Sequence, residues 1–263
     1  MSKTQDIFKK RKYRSSAIFF AAAVLYWFTA AGVGFQAGIS LSAVPESFIW
    51  LFTNFIPTED SLAFLPMIFS RLLQTVLLSV TATMSGAAVA LIAAILGSNV
   101  AGHTFFLKTA IRGFASFFRN IPIVVWAMIL LLSFKQSEFT GYLAISFTTF
   151  GYLTRSFTEV IDEVAGSVVE AMSALGASYI QIVFQGILPM CFNQLVSWLL
   201  FLIENNIRDA TLVGILTGTG IGFLFDFYYK NFQYDIAGMV TLLIVIVVIS
   251  LEVFSNKIRR VIC

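Results

Sequence analysis

The residues best equipped for chemistry lie in one run, Glu204-Asn205-Asn206-Ile207-Arg208-Asp209-Ala210-Thr211-Leu212-Val213-Gly214, set between apolar stretches. Ionisable groups beside a membrane are costly to bury, so they pair with one another or face a cavity. Glu204 and Arg208 are four residues apart, the spacing of a helical ion pair. Alternatively, the Arg208 guanidinium could meet the oxygens of an anionic substrate. Glu204, Asn206, Arg208, Thr211 and Gly214 are therefore candidates for a polar path. A structural ion pair at the membrane boundary is the competing role for the two charges. Arg71 and Gln74 read as interfacial anchors. No catalytic set is visible. His103 is the only histidine and reads as a polar loop residue, and Cys191 and Cys263 show neither metal spacing nor a disulfide framework. No catalytic residue, metal ligand or cofactor is expected.

A second constellation occupies residues 157–186. It contains Glu159, Asp162, Glu163 and Glu170 and no Lys or Arg. Its centre reads Glu170-Ala171-Met172-Ser173-Ala174-Leu175-Gly176, and Gly186-Ile187-Leu188-Pro189 follows. Val164–Leu175 is expected to form a short helix that stops at Gly176, as helices often do at glycine. Ala171, Ala174 and Leu175 then share a face on which another protein's surface could approach closely. Pro189 is tolerated only in a first helical turn and biases Leu188 away from helix, so a membrane helix is expected to start at one of these two residues.

These segments need elements to hold them, and composition says what kind. Of the 263 residues, 58% are hydrophobic and 12% charged, and 28 are Phe. A soluble domain carries about 25% charged residues, so lipid is the expected solvent. Candidate spans of about 20 residues are Ser16–Phe35, Leu72–Leu96, Ile121–Phe134, Thr140–Leu153, Ile187–Ile203 and Ile236–Phe254. The third and fourth are short, and their flanks Ile111–Phe118 and Thr154–Val160 could extend them. The first is too long for a signal h-region, so it reads as a retained helix.

Six spans place both ends on one side. With that side cytoplasmic, thirteen Lys and Arg fall inside and four (Arg71, Lys135, Arg208 and Lys230) outside, an N-in, C-in bias. The basic ends, Lys3 to Arg14 and Lys257 to Arg260, read as orientation signals, not as nucleic-acid contacts. The expected organisation is a cytoplasmic tail over 1–15, a first helix and outer loop over 16–65, a membrane core over 66–255 with the 157–186 loop, and a tail over 256–263. Phe48–Phe52, ended near Pro57, reads as an interfacial helix. Thr211–Phe225 is apolar but short and Gly-rich, so it is expected to be re-entrant or packed within protein at membrane depth. Gly214, Gly218 and Gly222 recur every four residues, a spacing that permits close helix approach.

The 157–186 loop resembles the signature loop of ABC importer permeases, E-A-A-x3-G-x9-I-x-L-P. Glu170, Ala171, Gly176, Leu188 and Pro189 match in register, while Met172 replaces the second Ala and Gly186 replaces the Ile. The resemblance implies an all-α integral membrane protein of six transmembrane helices with a cytoplasmic coupling helix, the type I ABC importer permease fold. It further implies a homodimer of the permease, two cytoplasmic ABC ATPase subunits and an extracytoplasmic substrate-binding protein that confers most of the specificity. Glu170, Ala171, Met172, Gly176, Leu188 and Pro189 would couple the ATPase to the membrane helices. The run from Glu204 looks like the phosphonate permease family, whose Glu-x-Asn-x-Arg-x-x-Thr-x-x-Gly pattern fits Glu204, Asn206, Arg208, Thr211 and Gly214, with Ile221-Gly222 beyond. That family commonly has Gly-Ala-Gly-Gly-Ile-Gly where this chain has Thr217-Gly218-Thr219-Gly220-Ile221-Gly222. Arg119-Asn120-Ile121-Pro122 and Trp126-Ala127 are similar to the start of its third span. The expected cargo is a phosphonate or a related phosphorus oxyanion. A permease for methionine, an osmolyte or another oxyanion is the alternative, and a secondary carrier a further one.

Overall fold

A computed structural model of the chain describes the backbone of residues 2–34, 37–102 and 104–262, and the side chains of 11–34, 42–102 and 104–260. His103, Cys263 and the side chains of Lys3, Lys9 and Lys10 lie outside the described residues. The chain divides into two compact units, Met1–Asn54 and Phe55–Cys263. The first holds α1 (Ser2–Val33) and α2 (Ala37–Asn54). The second holds α3 (Glu59–Leu62), α4 (Leu65–Gly97), α5 (Phe105–Asn120), α6 (Ile123–Phe134), α7 (Glu138–Val164), α8 (Gly166–Ala174), α9 (Tyr179–Gln181), a π turn (Ile182–Ile187), α10 (Leu188–Thr217), α11 (Gly220–Lys230) and α12 (Tyr234–Ile262). The described residues contain no strand.

The larger unit is built around α7. Its packing partners α4, α5, α6 and α10 surround it, and their contacts depend on small residues. A Cβ on Gly86 of α4 would come within 2.9 Å of the Ser146 carbonyl oxygen. One on Gly151 of α7 would come within 2.6 Å of the Arg119 backbone nitrogen. The buried side of α7 is rich in hydroxyls: Thr140, Ser146, Thr148, Thr149, Thr154 and Thr158. Helices that pack against other helices in a membrane use such small polar residues, because lipid never meets them.

Among the described residues, four helical stretches are long and apolar enough to cross a membrane: Arg11–Val33, Leu65–Gly97, Tyr179–Thr217 and Tyr234–Arg260. The pair α5 and α6 adds a fifth if it counts as one bent span. Helix α7 is 27 residues long but too polar to stand out by composition, because protein and not lipid covers it.

The structure departs from sequence expectation at several places. The stretch Ile111–Phe118 does not lengthen the span over Ile121–Phe134; it belongs to a separate helix bent from it by 91°. Pro122 is the cause: it holds Ile121 in an extended conformation (φ −91°, ψ 120°). The Trp126 indole N–H donates to the Phe118 carbonyl at 3.2 Å and its ring stacks on Phe118, which fastens the corner. Next, the helix expected to end at Ile203 runs on to Thr217. The run from Glu204 is thus the middle of a helix, not a boundary. Third, Thr211–Phe225 is not one segment. Gly218, at φ +68°, ends α10, and α11 starts at Gly220. The recurring glycines therefore sit on two helices and a cap. They do permit close approach: a Cβ on Gly222 would come within 1.9 Å of the Thr211 carbonyl oxygen. Last, the helix expected from Ser16 begins as early as Ser2 and runs to Val33, while the expected end at Phe35 lies outside the described residues.

Candidate functional site

Between α7 and α10 lies a cavity of about 600 Å³. One wall is the α7 stripe Thr148, Tyr152, Arg155 and Glu159, and the facing wall is the α10 stripe Trp198, Phe201, Asn205 and Asp209. Steps of three and four residues keep each set on one helix face. The third side is the α5–α6 corner, from Arg119 to Ile123. A second chamber of about 260 Å³ shares Arg119, Arg155 and Glu159 with the first and adds Arg112, Thr154 and Asp162.

The polar groups here are largely satisfied within the chain. Arg155 Nε donates to Glu159 at 2.7 Å, one helical turn away. Asp162 accepts from Ser98 Oγ and the Asn99 backbone N–H, both at 2.7 Å, and from Asn99 Nδ2 at 2.9 Å and Arg112 Nη2 at 3.0 Å. This carboxylate ties the α4–α5 connection to the end of α7.

The five candidates from the run Glu204–Gly214 do not converge. Asn206 is buried and donates to Thr83 Oγ1 at 2.8 Å and Thr149 Oγ1 at 2.7 Å, joining α10 to α4 and α7. Its side chain also lines the larger cavity. Glu204 faces elsewhere. It pairs with Arg208 one turn on and with Arg259 of α12 at 3.3 Å. Thr211 lies against Leu72, Ile221 and Ile244 in a small apolar pocket. At Gly214 a Cβ would come within 2.6 Å of the Thr219 carbonyl oxygen, so its role is backbone approach.

The second constellation is divided: residues 157–164, with Glu159 and Asp162, belong to α7 and not to a loop, and only the stretch from Gly166 forms a separate module. No residue of α8 is buried, and Leu175 is 88% exposed. Glu170 and Ala171 point outward, whereas Met172 packs back against the core. Gly176 has φ +78°, and the Ala177 N–H bonds to the Met172 carbonyl at 3.1 Å, closing the helix end. The chain then re-enters helix at α9 through a reciprocal Ser178–Gln181 capping box. The helix leading to the membrane therefore begins before Leu188, at Tyr179, with a π turn over Ile182–Ile187. Pro189 has no N–H for the carbonyl four residues back, and the widened turn lies on that stretch. The two departures from the signature touch each other: a Cβ on Gly186 would come within 2.7 Å of Met172 Sδ. A larger residue in the helix faces a smaller one in the turn.

Sequence reasoning counted both Arg119 and Arg155 as cytoplasmic charges, Arg119 also as part of a motif, yet both line the two cavities. The available signals were the Arg119–Pro122 motif and the four-residue spacing of Arg155 and Glu159.

The family of binding-protein-dependent transport system inner membrane components matches residues 86–262. The phosphate-import permease protein PhnE of Mycolicibacterium smegmatis is 27% identical over 80% of this chain and 40% of its own length. The putative phosphite transport system permease protein HtxE of Stutzerimonas stutzeri is 27% identical over 59% of each. The chain thus spans about half the length of these relatives. Among solved structures, the inward-facing MetNI methionine ABC transporter has a chain that superimposes with a TM-score of 0.68 at 16% identity, covering 78% of this chain and 99% of its own. That likeness is one of fold.

Proposed function

The chain belongs to the family of binding-protein-dependent transport system inner membrane components, and on that premise we propose that it is the membrane-spanning permease subunit of an ATP-driven ABC importer for a phosphorus oxyanion. The observation that carries this reading is the placement of α8. None of its residues is buried, its outer face is exposed, and it lies in the chain between α7 and α10, the two helices that wall the polar cavity. A partner that moved α8 would pull on both walls. Glu170, Ala171, Met172 and Gly176 present the docking helix, and Leu188 and Pro189 start the helix that receives the push. Two copies of the chain form the pathway, two cytoplasmic ABC ATPases drive it, and an extracytoplasmic binding protein delivers the cargo. The chain crosses the bilayer six times, counting α7 and the bent pair, with both ends cytoplasmic. Of the five residues in the run from Glu204, Asn206 lines the path. Glu204, Arg208, Thr211 and Gly214 brace it.

The cargo class is supported by the resemblance around Glu204–Gly222 and by relatives named for phosphate and phosphite. The test uses the chain with its ATPase and binding protein in proteoliposomes. Replacing Glu170 and Gly176 together is expected to abolish ATP hydrolysis stimulated by the binding protein while the chain still inserts. Unchanged stimulation would remove the coupling role. Uptake of phosphite or methylphosphonate by the intact complex tests the cargo, and failure to take up either removes that part of the reading.

A further inference from the structure

Among the described residues, three of the four arginines that line the larger cavities are paired with a carboxylate. Arg112 holds Asp162 at 3.0 Å, Arg155 holds Glu159 at 2.7 Å and Arg259 holds Glu204 at 3.3 Å. Arg119 lines both the 600 Å³ and the 260 Å³ cavities. Among the described residues its guanidinium has neither an ion pair nor a hydrogen bond. Its depth matters. Gly151 is the midpoint of α7 (Glu138–Val164), and a Cβ there would meet the Arg119 backbone nitrogen at 2.6 Å. Arg119 is therefore held at the middle of the central helix, where an uncompensated charge is costly unless it faces a water-filled space or meets a counter-charge.

We propose that Arg119 is an intramembrane binding residue for a tetrahedral oxyanion in transit, shared with Arg155 when that side chain leaves Glu159. The proposal rests on the importer reading and names the residues of its path. A guanidinium presents paired N–H donors that match phosphoryl oxygens. Neutral groups complete the lining: Ser156 and Asn205 in the larger chamber, and in the smaller one the buried Thr154 hydroxyl, which has no hydrogen-bond partner. The same cavity also holds Glu159 and Asp209. Glu159 is engaged by Arg155. These carboxylates keep the cavity from being a trap, since a conducting site must release what it binds.

The experiment measures phosphate binding to the purified permease–ATPase complex, and phosphite uptake by the full transporter, in phosphatidylcholine vesicles with and without phosphatidylglycerol. Arg119→Gln is expected to weaken binding and uptake about tenfold or more, and Arg119→Lys to recover part of the loss, because charge-assisted bonds are at stake. The Lys variant separates lost charge from lost folding. If the wild type imports phosphite and Arg119→Gln imports it equally well, the site is overturned and the importer reading stands. If the wild type imports no phosphorus oxyanion but phosphate still binds in an Arg119-dependent way, the cargo reading falls and the site stands. Loss of phosphate affinity on adding phosphatidylglycerol would assign Arg119 to a lipid headgroup and overturn the proposal; unchanged affinity supports it.

Discussion

The two flanks of α10 carry similar residue types and do opposite things with them. On one flank Glu204 is clasped by Arg208 and by Arg259 from α12, and Thr211 sits against the backbone of Gly222. On the other, Trp198, Asn205 and Asp209 look into an open cavity across which Arg119 waits unpaired. The first flank is closed on itself, with one carboxylate held between two guanidiniums. The second leaves Arg119 without an ion-pair partner among the described residues. The same helix can therefore brace a bundle and line a path, because faces of a helix on different sides meet different neighbours.

The largest expected effect breaks the braced flank. Gly222→Ala places a Cβ 1.9 Å from the Thr211 carbonyl oxygen, which forces α10 and α11 apart and costs about 3 kcal/mol or more. Thermal unfolding of the purified protein should show a large drop, and an unchanged midpoint would mean the helices are not so close. Glu204→Ala, which strands Arg208 and Arg259, should cost about 3 kcal/mol. Read by the same melt, a loss below about 0.5 kcal/mol would place Glu204 outside the brace. On the open flank the order reverses. Asn205→Ala should leave stability within about 0.5 kcal/mol of wild type yet lower phosphite uptake. If the variant melts early and transports normally, the distinction between the flanks collapses. A smaller effect than in the braced flank lies at the signature's two departures. Gly186→Ala should cost about 1 kcal/mol by crowding Met172. Adding Met172→Ala should return most of that loss, a coupling readable in a double-mutant cycle.

Much of this was legible in the chain. The apolar runs, the stop at Gly176 and the pairing of Glu204 with Arg208 follow from local spacing. So does the exposed face of Ala171, Ala174 and Leu175. Other features depended on distant residues. Apolar length gave only a short core for α7, Thr140–Leu153, with Thr154–Val160 as a possible extension; the full helix runs Glu138–Val164, and its threonines are covered by helices that lie far away in sequence. The 91° corner before Ile123 needed Pro122 and the Trp126–Phe118 contact together. The path candidates were chosen by residue type along a run that turned out to be one continuous helix, and such a run points its side chains in all directions.

From its residues alone, the chain is determined to be helical and lipid-bound, with a small exposed helix between two longer ones, because helix periodicity and apolar length are local properties. Only tertiary structure decided that Arg259 shares Glu204, that Asp162 gathers the α4–α5 connection, and that Arg119 of α5, beside the midpoint of α7, has no ion-pair partner among the described residues. Charges find partners through space, and the helix packing set by Gly86 and Gly151 decides which of them are within reach.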